Sequence, residues 1–147
     1  MPTAIAKHNK KTESLVLEYP TADPKIARAH FAARLAVETD CWDVHADLSK
    51  KEPGILVIDT RSPESYAQGH IPGAVNFWHQ RMNAETTARL PKGKILVTYC
   101  SGIGCNGSTK GAFKLAGLGF RVKEMLGGLE FWKNEGYSIE TGPGKSF

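Results

Sequence analysis

The run Ile95-Leu96-Val97-Thr98-Tyr99 is apolar and β-branched and has the length of a strand. It ends abruptly in Cys100, after which Gly102, Gly104 and Gly107 precede a helical pattern that opens at Ser108. An earlier run, Ile55-Leu56-Val57-Ile58-Asp59, lies between Pro53-Gly54 and a charged exit. Strands this apolar must be covered on both faces, as in a parallel sheet with helices on either side. The glycines after Cys100 let successive peptide N–H groups turn inward, and Ser108 is placed to cap the helix that follows. A thiol in such a loop has its thiolate favoured relative to an ordinary value near about 8.5. Cys100 therefore reads as a nucleophile; a small packed hydrophobe at a strand end is the competing reading.

The three glycines also spell G-x-G-x-x-G, the pattern of a dinucleotide-binding turn. It comes too late in the chain for a following βαβ unit, and only Glu124 stands near the place of a ribose-binding carboxylate.

The 147 residues carry a net charge of +4 and are 41% hydrophobic and 23% charged, the composition of one globular domain. Basic residues are spread along the chain apart from Lys7, Lys10 and Lys11, so no dense basic stripe points to nucleic acid. No stretch near the N-terminus resembles a secretory apolar segment and none approaches a membrane span, from which a cytoplasmic protein is expected. Three cysteines make no disulfide framework, and Cys41 beside Trp42 reads as a core thiol. No His/Cys cluster has zinc spacing, so neither a metal nor a cofactor is expected.

Residues 1–20 lack periodicity and read as a loosely held arm, with Leu15-Val16-Leu17 able to add a short strand; residues 21–147 form the domain. Asp23-Pro24 then starts an amphipathic helix, with Ile26, Ala27, Phe31 and Leu35 at three- and four-residue steps and His30 close to the apolar face. Trp42 to Leu48 alternates weakly, as a short strand would. Beyond Asp59, Ser62 and Pro63 open a short helix that Gly69 ends, and His70-Ile71-Pro72-Gly73 turns into a strand over Ala74-Val75-Asn76. Phe77 to Leu90 shows one or two helical turns around Ala84 to Arg89. Past the Cys100 loop come a helix over Ser108 to Leu118, a strand over Phe120 to Leu126 and a short helix over Leu129 to Asn134. Tyr137 to Glu140 follows and is placed to close on the sheet. Strands alternating with helices predict an α/β domain, with Cys100 at the carboxyl edge of a central strand.

Three stretches resemble the rhodanese-like, or sulfurtransferase, family. The first is Ile58-Asp59-Thr60-Arg61-Ser62-Pro63-Glu64-Ser65-Tyr66 with Gly69-His70-Ile71-Pro72-Gly73-Ala74-Val75-Asn76. The second is Tyr99-Cys100 with its glycine loop, and the third is Gly127-Gly128-Leu129 with Trp132. The resemblance implies an open α/β fold with a mainly parallel five-stranded sheet flanked by helices. It also implies Cys100 as the persulfide-bearing nucleophile, ringed by backbone N–H donors of Ser101, Gly102, Ile103, Gly104, Asn106 and Gly107. Asp59, Arg61 and His70 are expected to support the site by tying down turns, and His79 and Arg81 to reach its mouth as contacts for a substrate anion.

The loop departs from the common Cys-x-x-Gly-x-Arg form, with Ile103 at the glycine position and Cys105 at the arginine position. Related phosphatases and arsenate reductases use Cys-x-x-x-x-x-Arg, and that arginine position is Asn106. Phosphoryl transfer without the bidentate clamp is disfavoured. The expectation is therefore a sulfurtransferase that moves sulfane sulfur from thiosulfate or a persulfide to a thiol or cyanide. Its partners would be those donors and acceptors, with no nucleic acid, no membrane and an open oligomeric state. Cys105 is expected to act beside Cys100 by resolving a persulfide or sulfenate, or else to pack beneath the loop. The rival reading is a rhodanese-fold binding or regulatory module that no longer turns over.

Overall fold

The computed structural model describes residues 14–147, so Lys7, Lys10, Lys11 and most of the expected N-terminal arm lie outside the described residues. The chain divides into two units, Met1–Leu35 and Ala36–Phe147. In the first, Leu15 to Tyr19 makes a turn, with the Glu18 amide donating to the Leu15 carbonyl at 3.4 Å, in place of the short strand that Leu15-Val16-Leu17 could have added. Helix α1 (Pro24–Val37) starts as its sequence predicts: the Asp23 side chain accepts from the Lys25 amide at 2.9 Å and proline follows in the first turn. Its expected apolar face is not buried. Ile26, Phe31 and Leu35 are all exposed, and His30 sits edge-on to Phe31 with ring centroids 5.4 Å apart.

The second unit is built on five parallel strands in the order β1-β5-β4-β2-β3. They are β1 (Glu38–Thr39), β2 (Ile55–Asp59), β3 (Val75–Asn76), β4 (Ile95–Tyr99) and β5 (Val122–Met125). β4 is the central strand, paired with β2 from Ile55↔Ile95 to Asp59↔Tyr99, so Asp59 and Tyr99 stand side by side at the carboxyl edge. The helices are α2 (Cys41–Ser49), α3 (Pro63–Gln68), α4 (Gly107–Gly117) and α5 (Gly128–Asn134). A 3₁₀ turn spans His79–Arg81.

Trp42 to Leu48 is helical, not the short strand its weak alternation suggested. Asp40 caps the helix by accepting from the Asp43 amide at 2.8 Å, and Cys41, Val44 and Leu48 fall on the face turned to the core. β1 has no apolar signal of its own. It is two polar residues at the sheet edge, fixed by pairing with Glu124 and Met125.

Alternate residues of the central strands feed opposite layers, as a pleated strand requires. Val57, Val97 and Tyr99 join Cys41, Val44, Met125, Leu129 and Trp132 on the α2/α5 side. Ile58 and Leu96 join Val75, Phe77, Leu115 and Phe120 on the α4 side. Each such aliphatic side chain contributes about 1.5–3 kcal/mol when fully buried. The C-terminal segment closes on the far edge. The Asn76 amide donates to the Lys145 carbonyl at 2.8 Å, the Phe147 amide to the Asn76 carbonyl at 3.0 Å, and Phe147 stacks on Phe77.

Candidate active site

β4 ends at Tyr99, and Cys100 is held in place from several sides. The Tyr99 carbonyl accepts from both the Thr60 amide at 3.1 Å and the Thr60 hydroxyl at 2.8 Å. The next two carbonyls, of Cys100 and Ser101, accept from the amides of Leu129 and Glu130 in the first turn of α5, each at 2.9 Å. Loop and α5 approach this closely because Gly128 has no side chain. Its φ is +62°, and a Cβ there would strike the Cys100 carbonyl oxygen, the Gly102 nitrogen at 2.8 Å and the Ser101 carbonyl carbon at 2.9 Å. The Gly127-Gly128 doublet is the only trace of this packing in the sequence, where it reads as a helix start.

Within the loop the Cys105 amide donates back to the Gly102 carbonyl at 3.0 Å, folding the chain over. Cys100 and Cys105 are joined by a disulfide, with Cα atoms 6.2 Å apart. The spacing of five residues leaves open whether the two sulfurs meet; they do. Among the described residues no backbone carbonyl accepts from the amides of Ser101, Gly102, Ile103, Gly104 or Asn106. Asn106, not Ser108, occupies the N-cap of α4, without a side-chain bond. Ser108 is instead buried in the first turn, and its carbonyl accepts from the Thr98 hydroxyl at 3.1 Å. The first residue of α4, Gly107, lies against both sulfurs: a Cβ on it would be 3.2 Å from Cys100 Sγ and 3.5 Å from Cys105 Sγ. The sulfurs thus sit at the positive end of that helix, which favours thiolates once the bond is opened.

The same point beside Gly107 lies 3.3 Å from the ring of His79. The 3₁₀ turn carrying His79 is fixed by the His79 amide donating to the Thr60 carbonyl at 3.1 Å and by Lys114 Nζ donating to the His79 carbonyl at 2.8 Å. The His79 Nδ1 is buried without a hydrogen-bond partner among the described residues. Burial lowers its pKa from 6.5, and Lys114 and Lys110 add to that, so the ring is neutral. His79, one of the two residues expected at the mouth, comes near the sulfurs. Arg81 is exposed and does not line the cleft described below.

Asp59, Arg61 and Tyr99 form a buried network that ties the carboxyl ends of β2 and β4 to the turn at Gly69 and Ile71. Asp59 is fully buried and accepts from the Arg61 amide at 3.0 Å, Arg61 Nε at 3.0 Å, Arg61 Nη2 at 2.6 Å and Tyr99 Oη at 2.8 Å. Arg61 Nη2 also donates to the Gly69 carbonyl at 2.6 Å, and Tyr99 Oη accepts from the Ile71 amide at 3.1 Å. Burial works against the Arg61 charge, but its bonds to Asp59 outweigh that and raise its pKa. Burial, and then the Asp59 charge, hold the Tyr99 hydroxyl protonated. His70 belongs to a separate tie: Nδ1 bonds the Tyr66 carbonyl at 2.8 Å, and its backbone pairs with Glu140 through two 2.9 Å bonds.

A cleft of about 640 Å³ opens beside the loop. Its apolar walls include Trp42, Ile103, Met125, Leu126 and Phe131, and Asp40, Glu124 and Glu135 supply carboxylates. Among the described residues no lysine or arginine lines it. Cys105 faces this cleft and is partly exposed, whereas Cys100 is 3% exposed and is not among the lining residues. Cys41 also borders it, but as a free thiol whose Sγ lies 3.7 Å from the carbonyls of Leu126 and Gly128. Burial, then Asp40 and Glu135, push that thiol up to about 11. Among the described residues no cluster of three side chains is placed to hold a metal ion, and no helix is long and apolar enough to cross a membrane.

The family model for the rhodanese-like domain matches residues 43–135. The thiosulfate sulfurtransferase GlpE of Pseudomonas entomophila is 34% identical over 101 residues, which are 67% of this chain and 88% of that one. The HTH-type transcriptional regulator Rv0324 of Mycobacterium tuberculosis is 30% identical over 96 residues, 65% of this chain; the match spans only 42% of the regulator's length. Among solved structures, the BH2092 protein of Bacillus halodurans superposes with a TM-score of 0.79 at 44% identity, covering 81% of this chain and 87% of that chain.

Proposed function

The chain belongs to the rhodanese-like domain family, and from that premise we propose that it is a sulfurtransferase working through a persulfide on Cys100. One observation carries the reading: the Cys100 sulfur lies at the carboxyl end of the central strand, against the first turn of α4, in a loop where the amides of Ser101, Gly102, Ile103, Gly104 and Asn106 have no backbone acceptor among the described residues. Such amides and the helix terminus stabilise a sulfur anion without any side-chain cation. The similarity to GlpE enzymes over two thirds of the chain supports the same chemistry.

Once a thiol has opened the disulfide, the Cys100 thiolate attacks the outer sulfur of thiosulfate or of an organic persulfide. The donor's S–S bond breaks, and sulfite or a thiolate leaves with its electrons. The persulfide left on Cys100 is then attacked at its outer sulfur by cyanide or a thiolate, which departs as thiocyanate or a new persulfide. The Cys100 thiolate is restored. No step requires protonation of a poor leaving group, so the missing loop arginine costs affinity for an anionic donor more than it costs the chemistry.

The cleft favours a persulfide of low net charge over the thiosulfate dianion, because among the described residues it presents carboxylates and no basic side chain. The same feature, with Asn106 at the clamp position, argues against phosphoryl or arsenate chemistry. The test is turnover with cyanide as acceptor, reading thiocyanate from thiosulfate and from cysteine persulfide. Cys105→Ser, in which no second thiol competes for the persulfide, should turn over with both donors, with the larger kcat/KM on the persulfide, and Cys100→Ser with neither. A Cys100→Ser protein that retains turnover rules the reading out.

A further inference from the structure

We propose that the protein also reduces the sulfur it takes up: Cys105 attacks the Cys100 persulfide, hydrogen sulfide is expelled, and a small thiol reopens the resulting disulfide at Cys105. This rests on the reading of Cys100 as the sulfur carrier.

Three observations point to it. The two sulfurs are bonded across a loop that the Cys105-to-Gly102 hydrogen bond folds back on itself. Both pack on the bare Cα of Gly107, so their approach needs no rearrangement of α4. The pair is also asymmetric, since Cys105 lines the cleft while Cys100 is buried behind it. An external acceptor must reach past Cys105 to the persulfide, whereas Cys105 is already in place. For a well-oriented neighbour the effective concentration is on the order of molar or far above, beyond any dissolved thiol.

The atoms and electrons balance without an oxidant. Cys105 sulfur bonds to Cys100 Sγ, the bond from that Sγ to the outer sulfur breaks, and the outer sulfur leaves as HS⁻, taking the Cys105 thiol proton. The sulfane sulfur gains two electrons and the two cysteines lose two. A low-molecular-weight thiolate then attacks Cys105, the exposed sulfur, and Cys100 leaves as the thiolate at the end of α4. A second thiol frees Cys105 and departs as the oxidised disulfide. In sum, one sulfane sulfur and two thiols give hydrogen sulfide and one disulfide.

The experiment is a single turnover without added thiol. The full chain is reduced, freed of reductant under anaerobic conditions and given less than one equivalent of thiosulfate or, separately, cysteine persulfide. Sulfide and intact mass are followed in time. Wild type should release about one sulfide per sulfur taken up, while its mass passes from the persulfide to the Cys100–Cys105 disulfide. Cys105→Ser, with Cys105→Ala as a second variant, should stop at the persulfide and release sulfide only when thiol is added. Two results overturn the inference while leaving sulfur uptake standing: a wild-type persulfide that persists beside a reduced Cys105, or equal sulfide release by the Cys105 variants. Absence of sulfur uptake by wild type from either donor removes the underlying reading as well.

Discussion

Gly128 is where the loop and α5 interlock, and Gly128→Ala measures how much that contact matters. Two costs combine. A left-handed backbone imposes about 1–2 kcal/mol on an L-residue, and the φ of +62° lies in that region. The added methyl also meets three backbone atoms of residues 100–102, none of which can yield as a flexible side chain does. Overpacking of this kind costs about 1–3 kcal/mol. The sum, about 2–5 kcal/mol, corresponds to a fall of roughly 1–2 M in the urea midpoint for a domain of this size. Gly73→Ala separates the two costs, because Gly73 has φ +83° but nothing within 4 Å of the place its methyl would take. Measured in reducing buffer, the Gly128 variant should lose about 1–3 kcal/mol more than the Gly73 variant. Its sulfur uptake should fall as well, since the Cys100 and Ser101 carbonyls are displaced from α5. Equal losses in the two variants refute the interlock.

Asp59→Asn leaves the Arg61 guanidinium facing an amide and should cost about 3–5 kcal/mol in urea unfolding; a loss below about 1 kcal/mol contradicts the buried network. For His79 the pKa is lowered in the folded chain, so the unfolded chain takes the proton first as pH drops below 6.5. That lowers stability progressively until the folded ring is protonated too. His79→Gln should therefore lose less stability than wild type between about pH 8 and about pH 5, and parallel losses contradict this. After reduction, iodoacetamide at about pH 8 should label Cys105 well before Cys41, because Cys41 is buried and its thiol is pushed up to about 11. Peptide mapping that finds Cys41 labelled first refutes that order.

The strands that carry the site are legible in the sequence because their signals are local. Ile55 to Asp59 and Ile95 to Tyr99 are runs that only a doubly covered strand accommodates, and Ser62-Pro63 states its own helix start. Cys41 to Ser49 is misread from sequence because its core contacts fall only at Cys41, Val44 and Leu48, too few to outweigh the alternation of Trp42 to Leu48. The apolar spacing of α1 predicts its helix but not the exposure of Ile26, Phe31 and Leu35, since periodicity reports a face and not what covers it. In the site, Cys100 stands out as a cysteine at a strand exit before glycines. The approach of His79 to Gly107 depends on where β3 delivers the chain, and the seat of Gly128 on the loop depends on pairing across the sheet. Neither is written in neighbouring residues.

The central claim is that Cys100 takes up sulfane sulfur, and intact mass with peptide mapping tests it most directly. The reduced chain is treated with thiosulfate or cysteine persulfide, quenched by alkylation and digested. The account predicts one added sulfur on Cys100, retained in Cys105→Ser and passing on to the Cys100–Cys105 disulfide in wild type, and none in Cys100→Ser. Sulfur found on another cysteine, retained in Cys100→Ser, or absent from Cys105→Ser with every donor contradicts it.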